Sequence, residues 1–116
     1  MNLIAFNTTR NEPIATKVEK AETTASRSKG LLGRESLAAG EGLWIVPCPM
    51  IHTFFMKFSI DVLFLDADLT VRRVIEDLRP WRLSPWVLSA RSVLELKGGA
   101  LKGSVRVGDR LDMRPS

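Results

Sequence analysis

Asp61-Val62-Leu63-Phe64-Leu65-Asp66, followed at once by Ala67-Asp68-Leu69 and by Thr70-Val71-Arg72-Arg73-Val74-Ile75-Glu76-Asp77-Leu78, is the stretch whose reading decides the fold. The first six residues read as a buried strand with acidic ends. Asp66 to Leu69 reads as a hairpin turn, and Thr70 to Leu78 as the returning strand. In the return, Val71, Arg73, Ile75 and Asp77 oppose Arg72, Val74, Glu76 and Leu78. The alternation is imperfect, as in an edge strand or a strand carrying a bulge.

Upstream, Ile51 to Phe58 is apolar and β-prone, and Leu43-Trp44-Ile45-Val46 reads as a strand bounded by Pro47. Pro49 follows closely, so this stretch cannot be regular central sheet. Gly40 and Gly42 mark a loop, with Leu37 docking just before it. Ile14 to Ala21 alternates with period two, which predicts a half-buried strand with Val18 facing inward. Thr23 and Thr24 are candidate N-caps for a short helix from Ala25 to Leu32, with Gly33 as its stop. Residues 1–13, ending at Pro13, read as a loosely attached arm.

Downstream, residues 79–90 hold two prolines and two tryptophans and read as a long irregular connection. Loops of that length inside a compact domain are often functional. Ser92 to Leu96 reads as a strand and Gly98-Gly99 breaks it. A single turn is predicted over Ala100 to Lys102. Val107-Gly108-Asp109 forms a turn before a last strand from Arg110 to Met113. The pattern predicts one α+β domain over 14–116. Its sheet would be small, curved and mainly antiparallel, with six or seven strands, partly closed like a barrel, and one or two short helices would accompany it.

The 116 residues suit one domain, and the 45% apolar and 26% charged content is globular. A lone cysteine, Cys48, permits no internal disulfide. The N-terminal residues show no positively charged segment leading into an apolar run, and no stretch approaches the ~20 apolar residues of a membrane span. The expectation is a cytoplasmic protein without a membrane partner, or a secreted or periplasmic one if a leader has been removed. The net charge of +4 is spread evenly: residues 1–58 hold 7 basic and 5 acidic side chains, and residues 59–116 hold 10 and 8. Without a basic block or any tyrosine, nucleic acid is not the expected partner.

Cys48 and His52 are four apart and could share a metal or form a thiol–imidazole pair. One Cys and one His cannot fill a four-ligand site, and Pro49 denies the helix that would align them, so no metal and no cofactor are expected. His52 beside Asp61 would make an imidazole oriented by a carboxylate. Arg27, Arg34, Arg82 and Arg91 are suited to planar recognition of carboxylate or phosphate, or to ordinary surface ion pairs. Arg91 precedes a strand; it and Glu95 are four apart, a spacing that in a strand places both on one face, where they could pair. Trp81 and Trp86 would either cap the core or line a pocket.

Several ordered blocks resemble the domain of unknown function 192 family. Arg27-Ser28-Lys29-Gly30-Leu31-Leu32-Gly33-Arg34 is similar to its R-x-x-G-L-M-G-R signature, and Gly42-Leu43-Trp44-Ile45 to its G-M-L-F. Phe55-Met56-Lys57 through Asp61 to Asp66 resembles its W-M-K-N-T-x-I-P-L-D-I-L-F-I-D stretch. Ala90 to Leu96 and Val107-Gly108-Asp109 match its closing segments, so the resemblance spans about residues 15–114. Leu69 stands where a turn glycine is usual. Ile51-His52-Thr53 precedes the block that many members open with a Phe-Trp pair, and Lys97-Gly98 replaces a Pro-Ala form. The resemblance implies a compact β-rich domain with a short helix after its first strand. The family has no assigned activity, so no catalytic residue can be carried over.

The leading functional expectation is a non-enzymatic module that binds a small anionic ligand or a peptide carboxylate. Arg27, Lys57, Arg82 and Arg91 would supply charge, and His52, Trp81 and Trp86 would supply walls. A rival is a hydrolase or transferase with His52 as general base, Asp61 as its orienting group and Cys48 or a water as nucleophile. A third is a protein-interaction module in which the signature residues only hold the fold, with Arg and Lys satisfying buried carboxylates such as Asp61 and Glu95.

Overall fold

The computed structural model describes residues 2–116; Met1 lies outside the described residues. Seven strands form one sheet: β1 (Leu3–Asn7), β2 (Glu12–Ala21), β3 (Glu41–Ile45), β4 (Ile60–Leu65), β5 (Val71–Leu78), β6 (Ser92–Lys97) and β7 (Leu111–Pro115). Their order is β5-β4-β6-β3-β2-β1-β7. All neighbours are antiparallel except β2 and β3, which run parallel. A parallel pair needs a crossover. The single helix α1 (Thr24–Lys29) and the turns after it supply that crossover. With one six-residue helix among the described residues, the fold is mostly β, and the α+β expectation holds only loosely.

The sheet curls into a half-barrel. Its two edge strands meet at one end, where Thr70 bridges Arg110 and the Val71 N–H donates to the Asp109 carbonyl at 2.8 Å. Strand β4 explains the curl. All six of its residues are buried, and they alternate between two cores. Leu63 and Leu65 join Val18, Val71, Leu94, Leu96 and Leu111 on the side the curling sheet encloses. Ile60, Val62 and Phe64 face outward with Leu43, Ile45 and Val93, under Leu31, Leu37, Ile51 and Met56 from the connections. Each large side chain buried this way contributes roughly 1.5–3 kcal/mol, so neither face can be left to solvent.

This second core corrects the reading of residues 51–58. They form no strand but a cover for the outer face, burying Ile51, Thr53 and Met56. An apolar run packed on a sheet from above needs no ladder of its own. The predicted edge strand is confirmed: β5 is an edge and pairs with β4 through two irregularities in register. Leu69 takes φ 62° where a glycine was usual. The turn is held because the Asp66 carboxylate accepts from the Asp68 and Thr70 amides at 2.9 and 3.0 Å and from Arg72 at 3.0 Å. Partial burial opposes ionisation there, but these bonds keep the Asp66 carboxyl below its usual range.

Two further corrections concern the N-terminal third. The arm expected over 1–13 is not found in its described part, residues 2–13: β1 lies between β2 and β7, and β2 begins at Glu12. Buried Asn7 donates to the Asp109 carboxylate at 3.0 Å and Arg10 does so at 2.8 Å, fastening the β1–β2 turn to the turn before β7. Helix α1 also ends earlier than expected. Thr23 is its N-cap, accepting from the Ser26 amide at 3.0 Å, but Gly30, not Gly33, closes it. The chain turns there at φ 48° and delivers Leu31 into the outer core.

Asp61 is the polar fastening of the far corner. Fully buried at the start of β4, its carboxylate accepts from the amides of Asp77 (2.8 Å), Gly99 (3.0 Å) and Leu101 (2.9 Å). No Arg or Lys satisfies it, contrary to expectation; backbone amides do, because the Gly98–Gly99 turn folds directly over it. Asp61→Ala should therefore lower stability by at least about 3 kcal/mol in urea unfolding, since several donors lose their acceptor. Arg91→Ala should change it by less than about 0.5 kcal/mol, because Arg91 is exposed and in no ion pair among the described residues.

Candidate functional site

Strand β6 alternates like β4. Leu94 and Leu96 point into the enclosed core, so Val93 and Glu95 point to the outer face. Glu95 stands opposite Leu43 on β3 and Val62 on β4. Apolar neighbours on both sides leave its carboxyl without a cross-strand partner. The cover passes over it: α1 and its following turn on one side, the 45–52 segment on the other. Between them lies a cavity of about 340 Å³ with Glu95 as part of its wall. That volume is at the lower end of the ~300–1,000 Å³ of small-molecule sites.

Three residues singled out from the sequence border this cavity: Arg27, Cys48 and His52. Leu31, Ile45, Ile51 and Met56 give it apolar surface. The other sequence candidates lie elsewhere. Lys57 is exposed and paired with Glu35 at 2.6 Å. Trp81, Arg82, Trp86 and Arg91 are exposed and do not border the cavity. The two tryptophans thus neither cap the core nor line this pocket. Arg91 precedes β6 rather than lying on it, so the expected pairing with Glu95 does not form.

Glu95 is the residue that sequence reasoning misjudged. It is 3% exposed, and its Oε1 has no hydrogen-bond partner. Burial pushes its carboxyl from the ordinary 4.5 up to about 8, with the Arg34 charge acting against the shift. At neutral pH it is therefore mainly an uncharged acid, able to donate as well as accept. The Nε of Arg27 is also buried without a partner, while its Nη1 donates to the Pro47 carbonyl at 3.3 Å. Two of the side chains with unmatched buried polar atoms thus border one cavity. Such atoms are rare in folded proteins because each costs desolvation.

The acid–base constellation is not assembled. The Asp61 carboxylate is committed to three amides, and no hydrogen bond joins it to His52. His52 is exposed at the rim; its Nδ1 accepts from the Phe54 amide at 3.3 Å and its ring stacks on Phe54. The Cys48 thiol donates to the Met50 carbonyl at 2.9 Å, and burial pushes its pKa up. A nucleophilic thiol needs the opposite shift. No group of three or more His, Cys, Asp or Glu side chains is placed to hold a metal among the described residues.

The model of the domain of unknown function 192 family (DUF192, "Uncharacterized ACR") matches residues 5–113, and the chain belongs to this family. It is similar to a UPF0127 protein of Pyrococcus abyssi, 39% identical over 83% of this chain and 85% of the relative. A UPF0127 protein of Pyrococcus furiosus is 31% identical over 92% and 95%. Among solved structures, a protein of unknown function from Novosphingobium aromaticivorans superposes with a TM-score of 0.80 at 22% identity, covering 95% of this chain and 82% of that one. These likenesses give the fold and the family, and no activity comes with them.

Glu95 binds its proton more tightly folded than unfolded. Its contribution to stability is complete below about pH 4.5 and declines as pH rises to about 8. Glu95→Gln, neutral at every pH, should remove most of that decline. At neutral pH it should raise stability by on the order of 3 kcal/mol. Urea unfolding of both proteins across this range checks the sign and the slope.

Proposed function

We propose that this member of the DUF192 family is a non-enzymatic binding module whose outer-face cavity takes a small molecule, or a peptide end, bearing a carboxylate. The reading rests on one observation: Arg27 Nε and Glu95 Oε1, both buried and both without partners, belong to residues of one cavity. A ligand carboxylate would accept from the Arg27 guanidinium and from the protonated Glu95 carboxyl. Hydrogen bonds to an ionised group are about twice as strong as neutral ones. Leu31, Ile51 and Met56 would pack against the ligand's apolar part.

The unactivated Cys48 and the separated His52 and Asp61 favour binding over turnover. The uncharged state of Glu95 also gives the site a pH limit. Above about pH 8 the carboxyl ionises and would repel an anion it had helped to hold.

Thermal-shift titration with short aliphatic carboxylates, and with short peptides whose C-termini are free or amidated, tests this. Free carboxylates should raise the Tm, since a ligand stabilises the state it binds. Amidated peptides should not. Arg27→Gln should weaken binding at least about tenfold, a loss of about 1.4 kcal/mol. The effect should fade as pH passes about 8. If no free carboxylate stabilises the protein, the reading fails.

A further inference from the structure

The loop 79–91 does not hang free. It runs against residues 48–53 as an irregular ribbon. The Cys48 amide donates to the Arg91 carbonyl, Val87 to Pro49, Ser84 to Ile51, Thr53 to Arg82 and Trp81 to Thr53, at 2.9 to 3.0 Å. Fully buried Thr53 adds its hydroxyl, which accepts from the Arg82 amide at 2.9 Å and donates to the Arg79 carbonyl. Pro80 and Pro85 restrict the chain further.

This rigid ribbon and the adjoining turn hold large apolar side chains in solvent: Phe55 at 70% exposure, Trp81 at 57%, Leu83 at 60%, Trp86 at 63% and Leu88 at 90%. Phe55 and Trp81 have φ of 65° and 66°, a backbone region that bulky residues avoid. Such strain persists only where surrounding structure enforces it. Their rings meet at 4.7 Å. The fold thus exposes aromatic surface against local preference.

Charge accompanies it. The chain has 13 acidic residues, yet none lies in 47–58 or 79–91. Those segments carry Lys57, Arg79, Arg82 and Arg91, and the three arginines are exposed and in no ion pair among the described residues. The apolar side chains named above border none of the described cavities. Their exposure leaves most of each side chain in contact with solvent.

We infer that this ribbon docks on the surface of an anionic lipid bilayer. Tryptophan rings favour the headgroup level, Leu88 and Leu83 reach toward the acyl boundary, and the arginines pair with lipid phosphates. A soft interface accepts exposed side chains of unequal length; a protein partner would need a complementary surface for each. Bare aliphatic tips such as Leu88 also give nothing to a nucleic acid, whose bases stack on rings. The proposal is independent of the carboxylate site, because it uses none of the cavity's polar groups.

The test uses the intact protein with vesicles of phosphatidylcholine alone and of phosphatidylcholine with phosphatidylglycerol. Co-sedimentation with the anionic vesicles and a blue shift of tryptophan emission are expected. Binding should weaken at least about tenfold in high salt. Trp81→Ser/Trp86→Ser should remove the blue shift and lower affinity at least about tenfold, with urea unfolding showing that the exposed changes leave the fold intact. The proposal is overturned if anionic vesicles bind no protein, or if the double variant binds them as well as the parent. It is equally overturned if the patch instead drives dimerisation in size-exclusion chromatography, or binds a single-stranded oligonucleotide, through the same two tryptophans.

Discussion

A curled sheet that is apolar on both faces is the constraint from which the rest of the molecule follows. Strand β4 sends Leu63 and Leu65 one way and Ile60, Val62 and Phe64 the other, and β6 divides Leu94 and Leu96 from Val93 in the same manner. Curling closes one face upon itself. The other must be roofed by chain that is not in the sheet, and only the connections are available. The α1 crossover and the 46–58 and 79–91 segments therefore carry Leu31 and Leu37, Ile51 and Met56, and Ala90 and Val87 respectively onto it.

A roof made of short irregular pieces does not seal like a sheet. The cavity lies where α1 and the 45–52 segment diverge above Glu95. The strand alternation that places Val93 in the outer core also places Glu95 there, between Leu43 and Val62, in no ion pair among the described residues. Removing a carboxylate from water costs more than holding its proton, so the group is kept as an acid. Asp61 meets the same burial differently. Three amides converge on it and satisfy its oxygens. Two buried carboxyls in one small sheet thus serve opposite ends: one fastens structure and the other is left with unused hydrogen-bonding capacity.

The roof has a second consequence at its outer edge. Residues 48–53 and 79–91 must hydrogen-bond to something, and they bond to each other around Thr53. Their inward residues are spent on the core. What remains points to water, including Phe55, Trp81 and Trp86. Composition alone made the two tryptophans candidates for core or pocket, because loop aromatics usually find cover; here the cover is already complete beneath them.

The amino-acid sequence by itself determined what depends on neighbours along the chain. The β4–β5 hairpin, the irregular edge strand, the Thr23 cap, the β2 alternation with Val18 inward, and the family signature were all legible, because alternation, caps and turns act over a few residues. It misread 2–13 as part of an arm and 51–58 as β-prone, since a strand's pairing and an apolar run's destination depend on partners far away; Asn7 and its acceptor Asp109 are 102 residues apart. It placed Arg27, Cys48 and His52 among the candidates but read Glu95 as a carboxylate that Arg91 or another basic side chain could satisfy. Only the tertiary structure decided whether the two carboxyls find hydrogen-bond partners. Asp61 finds its amides 16, 38 and 40 residues away, whereas Glu95 Oε1 finds none. Whether a buried carboxyl is satisfied is a property of where other segments end up, and local sequence does not encode that distance.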